Sequence, residues 1–294
     1  MVALLEGKAA VVTGGSRGIG RAVSRALAAE GASVVVNGRD PGAAEVVAEE
    51  IRTAGGRAQA VAGSVVDVDF AGALIAACLD YFGALDVLVN CAGIPEPDGA
   101  TVLDLDPGAW RQVLDVHLTG TFHTCRHAAL HMAERGGGVI VNTSSHAARG
   151  LYGGSAYAAA KGGVESLTFA IAAELRDRGV RANAVCPGAR TRLNDNAAYQ
   201  RRIAELHARG VLDDAMRDAS LTPPPPEQVA PLYTFLASDA ARDVTGRVFT
   251  AVGGYVGLHA AASETLLAWR DAADGPWPVE RLAETLRERL ASGA

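Results

Sequence analysis

The stretch that decides the fold is a glycine-rich turn near the start of the chain, Thr13-Gly14-Gly15-Ser16-Arg17-Gly18-Ile19-Gly20. It follows a short apolar run, 9–13, and precedes a helical pattern over about 21–31. The spacing T-G-x-x-x-G-x-G is a variant of the G-x-G-x-x-G turn, whose glycines let the backbone approach a pyrophosphate at the N-terminus of the following helix. Between a first strand and a first helix, this turn predicts a dinucleotide-binding site.

Apolar runs and helical patterns alternate along most of the chain beyond this turn. Continuous apolar strands separated by helices are typical of a parallel sheet that is covered on both faces. We therefore predict an α/β fold, a single-domain, Rossmann-like, doubly wound parallel sheet of about seven strands, with ligands bound beyond the carboxyl ends of the strands. The predicted strands are 9–13, 34–37, 58–62, 85–90, 139–142, 180–185 and 246–252, and the predicted helices are 21–31, 43–54, 70–82, 107–134 and 155–178.

Composition excludes several classes of protein. Of the 294 residues, 49% are hydrophobic and 20% are charged, which supplies ample core and argues against a disordered chain. The formal net charge of -6 argues against a nucleic-acid partner, since such proteins normally present a basic face. No apolar run reaches the ~18 residues of a membrane span, and the first residues lack the apolar core of a signal peptide. The widely spaced Cys78, Cys91, Cys125 and Cys186 indicate reduced thiols, so we expect a cytoplasmic protein without membrane contacts.

Tyr157 and Lys161 are four residues apart, on one face of the helix predicted for 155–178. A phenol has an ordinary pKa near ~10, and an adjacent ammonium favours the phenolate, so this pair can exchange a proton with a carbonyl or alcohol oxygen. Ser144, at the end of the fifth predicted strand, can hydrogen-bond the same oxygen. Of the 27 basic residues only Lys8 and Lys161 are lysine, which indicates a specific need for an ammonium at 161. The alternative is a half-buried tyrosine beside a solvated lysine.

Three motifs in register, Thr13-Gly14-x-x-x-Gly18-x-Gly20, Asn90-Cys91-Ala92-Gly93 and Tyr157-x-x-x-Lys161, resemble those of the short-chain dehydrogenase/reductase family. The resemblance covers about residues 5 to 254. It implies an NAD(P)-dependent enzyme that acts on CH–OH groups. In that enzyme Tyr157 is the acid-base, Lys161 stabilises its phenolate and binds a ribose, and Ser144 polarises the carbonyl.

His117 stands where the family usually has a catalytic asparagine, within His117-Leu118-Thr119-Gly120-Thr121-Phe122. This substitution resembles the (3R)-hydroxyacyl-CoA dehydrogenase and 3-oxoacyl reductase branch of the family. Two roles for His117 stay open: holding a water that relays protons to Lys161, or satisfying backbone carbonyls in a kinked helix.

The resemblance also implies a set of residues that line the cofactor groove. Two of its positions depart from the family pattern: Ser64 stands where an aspartate usually binds the adenine, and Thr191 is one residue closer to Pro187 than is usual. The implied cofactor-binding residues are Gly14, Ser16, Arg17, Gly18, Ile19, Gly20, Arg39, Ser64, Val65, Asn90, Ala92, Gly93, Tyr157, Lys161, Pro187, Gly188 and Thr191.

The end of the second strand predicts which cofactor binds. Enzymes that use NAD place an acidic residue there, on the ribose 2′-hydroxyl, and in this chain that position is Gly38. Arg39 follows it, and Arg17 in the glycine turn faces the same corner, so two guanidinium groups can bind a 2′-phosphate. We therefore expect NADP(H) to be preferred over NAD(H). The alternative is that Arg39 begins a solvated loop in which Asp40 cancels part of its charge.

A second histidine pattern, His123, His127 and His131, recurs at the i, i+4 and i+8 spacing that can bind a metal on one helix face. No acidic residue accompanies it at the position of a metallohydrolase base, and the reaction implied by the resemblance needs no metal. We predict no metal site and interpret the pattern as a polar stripe at a subunit contact.

The domain organisation is predicted from the extent of the alternating pattern. We predict a Rossmann-like domain over 1–254, with a substrate lid at about 190–226, and a C-terminal extension over 255–294 that packs on the domain or on a neighbouring subunit. Charges of both signs in the lid are typical of a solvated face. The alternative is an arginine group that binds the phosphate of a thioester substrate.

These observations predict an oxidoreductase that interconverts a secondary alcohol and a ketone, with a 3-oxoacyl thioester or a similar ketone as its small-molecule substrate. An alternative within enzymes is a tailoring ketoreductase that acts on a polyketide, steroid or sugar-like ketone. An alternative of another class is an NADP(H)-sensing binding protein without turnover. The long helices suggest, by resemblance, a homodimer or homotetramer.

Overall fold

The structure, a computed structural model, describes residues 3–95, 101–152, 154–260 and 264–291. The chain divides into two units, Met1–His259 and Ala260–Ala294. All residues of the predicted site belong to the first unit. Among the described residues, no helix combines the length and the apolar character that a membrane crossing requires.

An eight-stranded sheet forms the centre of the first unit, in the order β3-β2-β1-β4-β5-β6-β7-β8. Neighbouring strands are parallel except for β7 and β8, which are antiparallel. The strands are β1 (Ala9–Thr13), β2 (Ser33–Gly38), β3 (Arg57–Ala62), β4 (Val87–Asn90), β5 (Gly138–Thr143), β6 (Val180–Gly188), β7 (Arg247–Val252) and β8 (Tyr255–Leu258). The predicted doubly wound α/β sheet is confirmed.

The eighth strand, β8, was missed by the prediction of about seven strands. It turns back from β7 after Gly253, whose φ of +56° lies in the left-handed region that favours glycine. Its residues Tyr255, Val256 and Leu258 are 63%, 61% and 58% exposed. A central parallel strand is recognised by continuous burial, and this edge strand lacks it.

The helices cover both faces of the sheet. On one face α1, α2 and α9 contribute to a buried cluster, and on the other α3, α5 and α6 contribute to a second. The side chains of β1 alternate between the two clusters, since Val12 lies in the first and Val11 in the second. The helices described are α1 (Gly18–Ala29), α2 (Pro41–Thr53), α3 (Val68–Phe82), α4 (Pro107–Leu114), α5 (Gly120–Arg135), α6 (Ser155–Glu174), α7 (Ala197–Ala208), α8 (Asp214–Leu221), α9 (Ala230–Ala237) and α10 (Val279–Ala291).

The long helix predicted over 107–134 is interrupted. Between α4 and α5 the residues Asp115–Thr119 form a π-helical turn, in which the Gly120 N–H donates to the Asp115 carbonyl. One extra residue is therefore accommodated in this turn, and His117 lies at its centre. The hydrophobic pattern runs through the turn without a break, so periodicity alone did not reveal it.

The strand order reverses beside β1, because β2 lies on one side of it and β4 on the other. Thr13 and Asn90, the last residues of β1 and β4, are register partners. Ligands of doubly wound sheets bind beyond the carboxyl ends of the strands at such a reversal. The glycine turn leaves β1 at this point.

The described part of the second unit contains a 3-10 turn, Ala272–Asp274, and α10. Trp269 is 72% exposed, and Leu282 and Leu286, one turn apart on α10, are half-buried. The predicted packing of the C-terminal extension on the domain or on a neighbouring subunit stays a prediction.

Candidate active site

The glycine turn is held by contacts that only glycine permits. Gly14 has φ +63°, and a Cβ there would lie 2.8 Å from the Ala92 Cα. A Cβ at Gly20 would lie 2.2 Å from the Gly14 carbonyl oxygen. Helix α1 begins at Gly18, and no side chain caps its N-terminus at Arg17 among the described residues. A turn without Cβ atoms, next to an uncapped helix N-terminus, fits a pyrophosphate; Ser16 and Ile19 lie within it.

The corner between β2 and the glycine turn, where the sequence predicts a 2′-phosphate contact, contains cations and a carboxylate. A Cβ at Gly38 would lie 2.4 Å from the Ser16 Oγ, so β2 and the turn approach closely. Arg17 forms an ion pair with Asp40, Nη2 to Oδ2 2.8 Å. The pKa of Asp40 is lowered, first by the Ala43 N–H that its carboxylate accepts at the start of α2 and then by Arg17. Arg39 is exposed beside this pair.

Three of the predicted cofactor-binding residues, Ser64, Val65 and Asn90, lie just after β3 or at the end of β4. Val65 is 6% exposed. Its carbonyl accepts a hydrogen bond from His123 Nδ1 at 3.2 Å. The Ser64 hydroxyl accepts from the Val66 N–H at 3.4 Å. The Asn90 amide donates to Asn142 Oδ1 at 3.0 Å within a buried network, so its side chain holds β4 to β5.

The end of β6 completes the edge of the groove. Pro187 and Gly188 pair in register with β7. A Cβ at Gly18 would lie 3.4 Å from the Thr191 methyl carbon, so the segment after β6 reaches the glycine turn. The candidate residues of β1, β4 and β6 therefore lie together at the carboxyl edge of the sheet.

Lys161 is a buried ammonium, 4% exposed. Its Nζ donates to the Thr143 carbonyl at 2.7 Å and lies 5.7 Å from the centroid of the Tyr157 ring. Burial disfavours the charged form and lowers the pKa of Lys161 to about 8. A cation with a low-dielectric path to a phenol stabilises negative charge on that phenol strongly.

His117 packs against Tyr157 from the π-helical turn. The ring centroids are 5.0 Å apart at 86°, an edge-on contact. Its Nε2 lies 3.1 Å from the Ile94 N and 2.8 Å from the Ile94 O. Burial, and then the charge of Lys161, lower the pKa of His117 to about 3, so the ring is neutral at pH 7. Its Nδ1 is buried with no hydrogen-bond partner among the described residues, which leaves a polar atom for a water or ligand.

The two serines after β5 differ in what their hydroxyls contact. Ser144, the predicted residue, is 2% exposed. Its Oγ donates to Glu165 Oε1 at 2.8 Å and to the Lys161 carbonyl at 3.2 Å, both on α6. Ser145 is half-buried, and its Oγ accepts from the Ala147 N–H at 3.2 Å. Ser145 is not among the residues predicted from the sequence.

Alternation along β5 is the signal that separates these serines. Asn142 donates to Thr168 of α6 at 3.0 Å, and Ser144 two residues later also faces α6. Thr143 faces the other way, with its Oγ1 3.0 Å from the hydroxyl of Tyr233 on α9. Period-two alternation thus predicts opposite directions for Ser144 and Ser145.

The histidine stripe on α5 lies against α3. A Cβ at Gly72 of α3 would lie 3.1 Å from the His127 ring, and the Nε2 atoms of His127 and His131 are buried without partners among the described residues. Three groups that could share a metal occur elsewhere in the described chain, at Glu165, Cys186 and His259. There the Cys186 thiol donates a hydrogen bond to Glu165 Oε1 at 3.5 Å. In this arrangement the thiol is protonated, whereas a metal ligand would be a thiolate.

Comparison with known proteins identifies the family. The sequence profile of the short chain dehydrogenase family matches residues 8–201. The cis-4-hydroxycyclohexanecarboxylate dehydrogenase of Sinomonas cyclohexanicum is 42% identical over 85% of this chain and 97% of its own length. The hydroxyacyl-CoA dehydrogenase ChsB1 of Mycobacterium tuberculosis is 37% identical over 98% of this chain and 90% of its own.

A solved structure gives the same result: a short chain dehydrogenase from Mycobacterium avium superposes with a TM-score of 0.81 at 36% identity, covering 98% of this chain and 96% of that one. The fold and these similarities define an NAD(P)-dependent oxidoreductase that acts on hydroxyl or ketone groups. The chain belongs to the short-chain dehydrogenase/reductase family, as its motifs predicted.

Proposed function

We propose that the protein is an NADP(H)-dependent oxidoreductase that interconverts a secondary alcohol and a ketone, with a 3-oxoacyl thioester or a ketone of similar bulk as substrate. The observation that carries this proposal is the buried ammonium of Lys161, 5.7 Å from the ring centroid of Tyr157. A buried cation beside a phenol at the cofactor edge of the sheet suits proton transfer to a substrate oxygen.

Tyr157 gives a proton to the ketone oxygen in reduction and removes it from the alcohol in oxidation. Lys161 stabilises the phenolate that forms, and its contact with the Thr143 carbonyl fixes its Nζ. A nicotinamide cofactor, when bound, would supply the hydride in reduction and take it up in oxidation. His117, neutral at pH 7, orients Tyr157 through the edge-on ring contact and offers Nδ1 to a water on the proton path.

A serine hydroxyl at the end of β5 polarises the substrate oxygen. Ser144 was the predicted donor, but its single proton is shared between the Glu165 carboxyl group and the Lys161 carbonyl in this arrangement. Within the described chain the Ser145 hydroxyl accepts one hydrogen bond and keeps its proton for donation. We therefore assign the substrate contact to Ser145, and to Ser144 the role of holding β5 against α6.

The thioester substrate is supported by ChsB1, named a hydroxyacyl-CoA dehydrogenase, because that similarity extends over 98% of this chain. A second candidate, a ketoreductase for a cyclic or steroid-like ketone, is supported by the similarity to a hydroxycyclohexanecarboxylate dehydrogenase. Both substrates are secondary alcohols in their reduced form and ketones in their oxidised form, so the same acid-base residue serves either one.

The residues of the groove fit a dinucleotide, since Cβ atoms at Gly14 and Gly20 would fill the turn that takes the pyrophosphate. The preference for NADP(H) is supported by the missing carboxylate at Gly38 and by Arg39 and Arg17 at that corner. Asp40 offsets part of the charge of Arg17, which leaves Arg39 as the principal phosphate contact.

Absorbance of NADPH with a panel of ketones tests the function. The panel contains a 3-oxoacyl-CoA, a cyclohexanone carboxylate and a 3-oxosteroid. Oxidation of NADPH by at least one of these ketones is expected, and the ketone that is reduced fastest identifies the substrate class. Binding of NADPH without oxidation by any of them would favour the sensing protein instead.

We also propose a cytoplasmic homodimer or homotetramer. The described cysteines are free thiols, as expected in a reducing compartment. Phe122 and Leu130 on α5 and Phe169 on α6 are 46%, 54% and 47% exposed, which suits a subunit contact. Light scattering of the purified protein measures the mass; a monomer would contradict this assignment.

A further inference from the structure

The predicted lid contains a small apolar cluster of its own. Ile203, Leu206 and Leu212 are buried in it, and Tyr199 and Met216 pack against them. These five residues come from α7, α8 and the loop between them. A sixth member, Tyr152, comes from outside the lid. We call this group, with Tyr152, the lid cluster.

Tyr152 lies in the loop that leads into the catalytic helix. Gly150 and Gly154, on either side of it, have φ of +74° and +73°, a backbone conformation that glycine adopts readily. Helix α6 begins at Ser155, and Tyr157 lies in its first turn. Tyr152 therefore lies three residues before α6 and five residues before the proposed proton donor along the chain.

Arg202 of α7 is bound to the same loop. Its Nε and Nη2 both donate to the Tyr152 carbonyl, at 3.0 and 2.8 Å. Two donors of a planar guanidinium on one acceptor fix the direction of approach as well as the distance, which a lysine cannot reproduce. The side chain of Tyr152 enters the lid cluster while its carbonyl is held by Arg202, so the two contacts act on one residue.

The neighbouring Arg201 provides a natural contrast. It is exposed on α7, and within the described part of the chain it forms no hydrogen bond or ion pair. The two residues share charge, length and helix. They differ in the contact with Tyr152.

We propose that Arg202 is a positioning residue that clamps the substrate lid to the loop before α6, so that the lid is held closed over the substrate. This inference rests on the proposed function, because the segment acts as a lid only over a substrate. The clamp raises the population of the closed lid, and a ligand that binds only the closed form gains affinity in proportion. Losing it weakens substrate binding more than it slows the chemical step.

Steady-state kinetics of Arg202→Met, Arg202→Lys and Arg201→Met, with the ketone that the panel selects, test the proposal. In Arg202→Met, KM for the ketone is expected to rise about tenfold, with kcat and the Kd for NADPH within about twofold. Arg202→Lys, which keeps one donor, is expected to lie between Arg202→Met and the unmodified protein. Arg201→Met is expected to match the unmodified protein.

Hydrogen exchange measured without substrate gives a second readout. Backbone exchange over 197–221 and 150–152 is expected to accelerate about tenfold in Arg202→Met, with no change in β1 or β4. Unchanged KM and unchanged lid exchange would overturn the clamp, and so would acceleration that extends to the central strands, since that means general destabilisation. If the unmodified protein reduces no ketone, the proposed function fails, while the exchange comparison still decides whether the clamp exists.

Discussion

The two ends of the proposed cofactor groove differ in how they hold charge. At the proton-transfer end Lys161 is 4% exposed, and burial lowers its pKa to about 8. At the phosphate corner the ion-paired side chains of Arg17 and Asp40 are 47% and 54% exposed. Charges interact strongly in a buried site and are screened at a wet surface. Changes at the buried end should therefore stop the reaction, and changes at the exposed end should shift only the choice of cofactor.

The largest effect is expected for Tyr157→Phe, which removes the proton donor from the buried end. We expect kcat/KM for the ketone to fall about 10³-fold, within the range of general acid catalysis, with the Kd for NADPH nearly unchanged. Stopped-flow and fluorescence titration measure the two quantities. Tyr255→Phe on the exposed strand β8 is the matched control and should behave as the unmodified protein. Turnover of Tyr157→Phe at the unmodified rate would refute the acid-base assignment.

Removing each serine separates substrate binding from packing at the same end. Ser145→Ala is expected to lower kcat/KM about 10²-fold, as loss of a donor to a developing oxyanion does. Ser144→Ala should act mainly on stability, lowering the free energy of unfolding by about 1 kcal/mol through loss of its bond to Glu165. Denaturant titration and kinetics on both variants check this. The reverse order of kinetic effects would return the substrate contact to Ser144.

At the exposed corner we expect Arg39→Ala to weaken NADPH far more than NADH. Loss of a charged hydrogen bond to a phosphate costs about 1.5–3 kcal/mol, roughly tenfold to a hundredfold in affinity. Titrating both cofactors against the variant measures the ratio, and Arg111→Ala, on α4, controls for net charge. Equal Michaelis constants for NADPH and NADH in the unmodified protein would contradict the preference itself.

The smallest effect is the pH dependence of the buried end. Burial lowers the pKa of Lys161 from 10.5 to about 8, so the ammonium is lost as pH rises above that value. We expect kcat/KM for NADPH, which reports the free enzyme, to fall up to about tenfold per pH unit there. The Lys161→Arg variant stays charged, so its kcat/KM should not fall at alkaline pH. A fall that persists in this variant would show that another group causes it.

The same shift has a consequence for stability. Between about pH 8 and 10.5 the unfolded lysine carries a proton that the folded one has lost, so the unfolded state binds more protons. The free energy of unfolding contributed by Lys161 therefore rises with pH over this window. Urea titrations at the two ends of the window, in the unmodified protein and in Lys161→Met, isolate the contribution of this residue. An equal slope in both proteins would exclude it.

Local rules explain which parts of the fold were predictable. Gly14 and Gly20 are required because a Cβ at either position would collide with the backbone. These positions are fixed within the turn, so the spacing of the glycines is enough to recognise it. The central strands were recognised because burial on both faces leaves a continuous apolar run. The fold class and the family motifs thus followed from the sequence.

Other features depend on contacts that no local pattern encodes. The alternation of β5 predicts opposite directions for the Ser144 and Ser145 side chains that follow it, so an error of one residue reverses the direction of a hydroxyl. The ion pair of Arg17 with Asp40 and the contact of Arg202 with Tyr152 join residues 23 and 50 positions apart. The edge strand β8 is exposed, so it does not need the continuous apolar run by which the central strands are recognised.

The π-helical turn at Asp115–Thr119 fixes the number of residues between α4 and α5. Because the turn already accommodates one extra residue, deleting one residue there would restore regular helical winding and shift the residues of the turn itself, while α4 and α5 keep their faces. His117 would then leave the ring of Tyr157, although every residue type in the site would still be present. Away from His117 this segment should tolerate substitutions better than insertions or deletions, so its length should remain constant among related sequences.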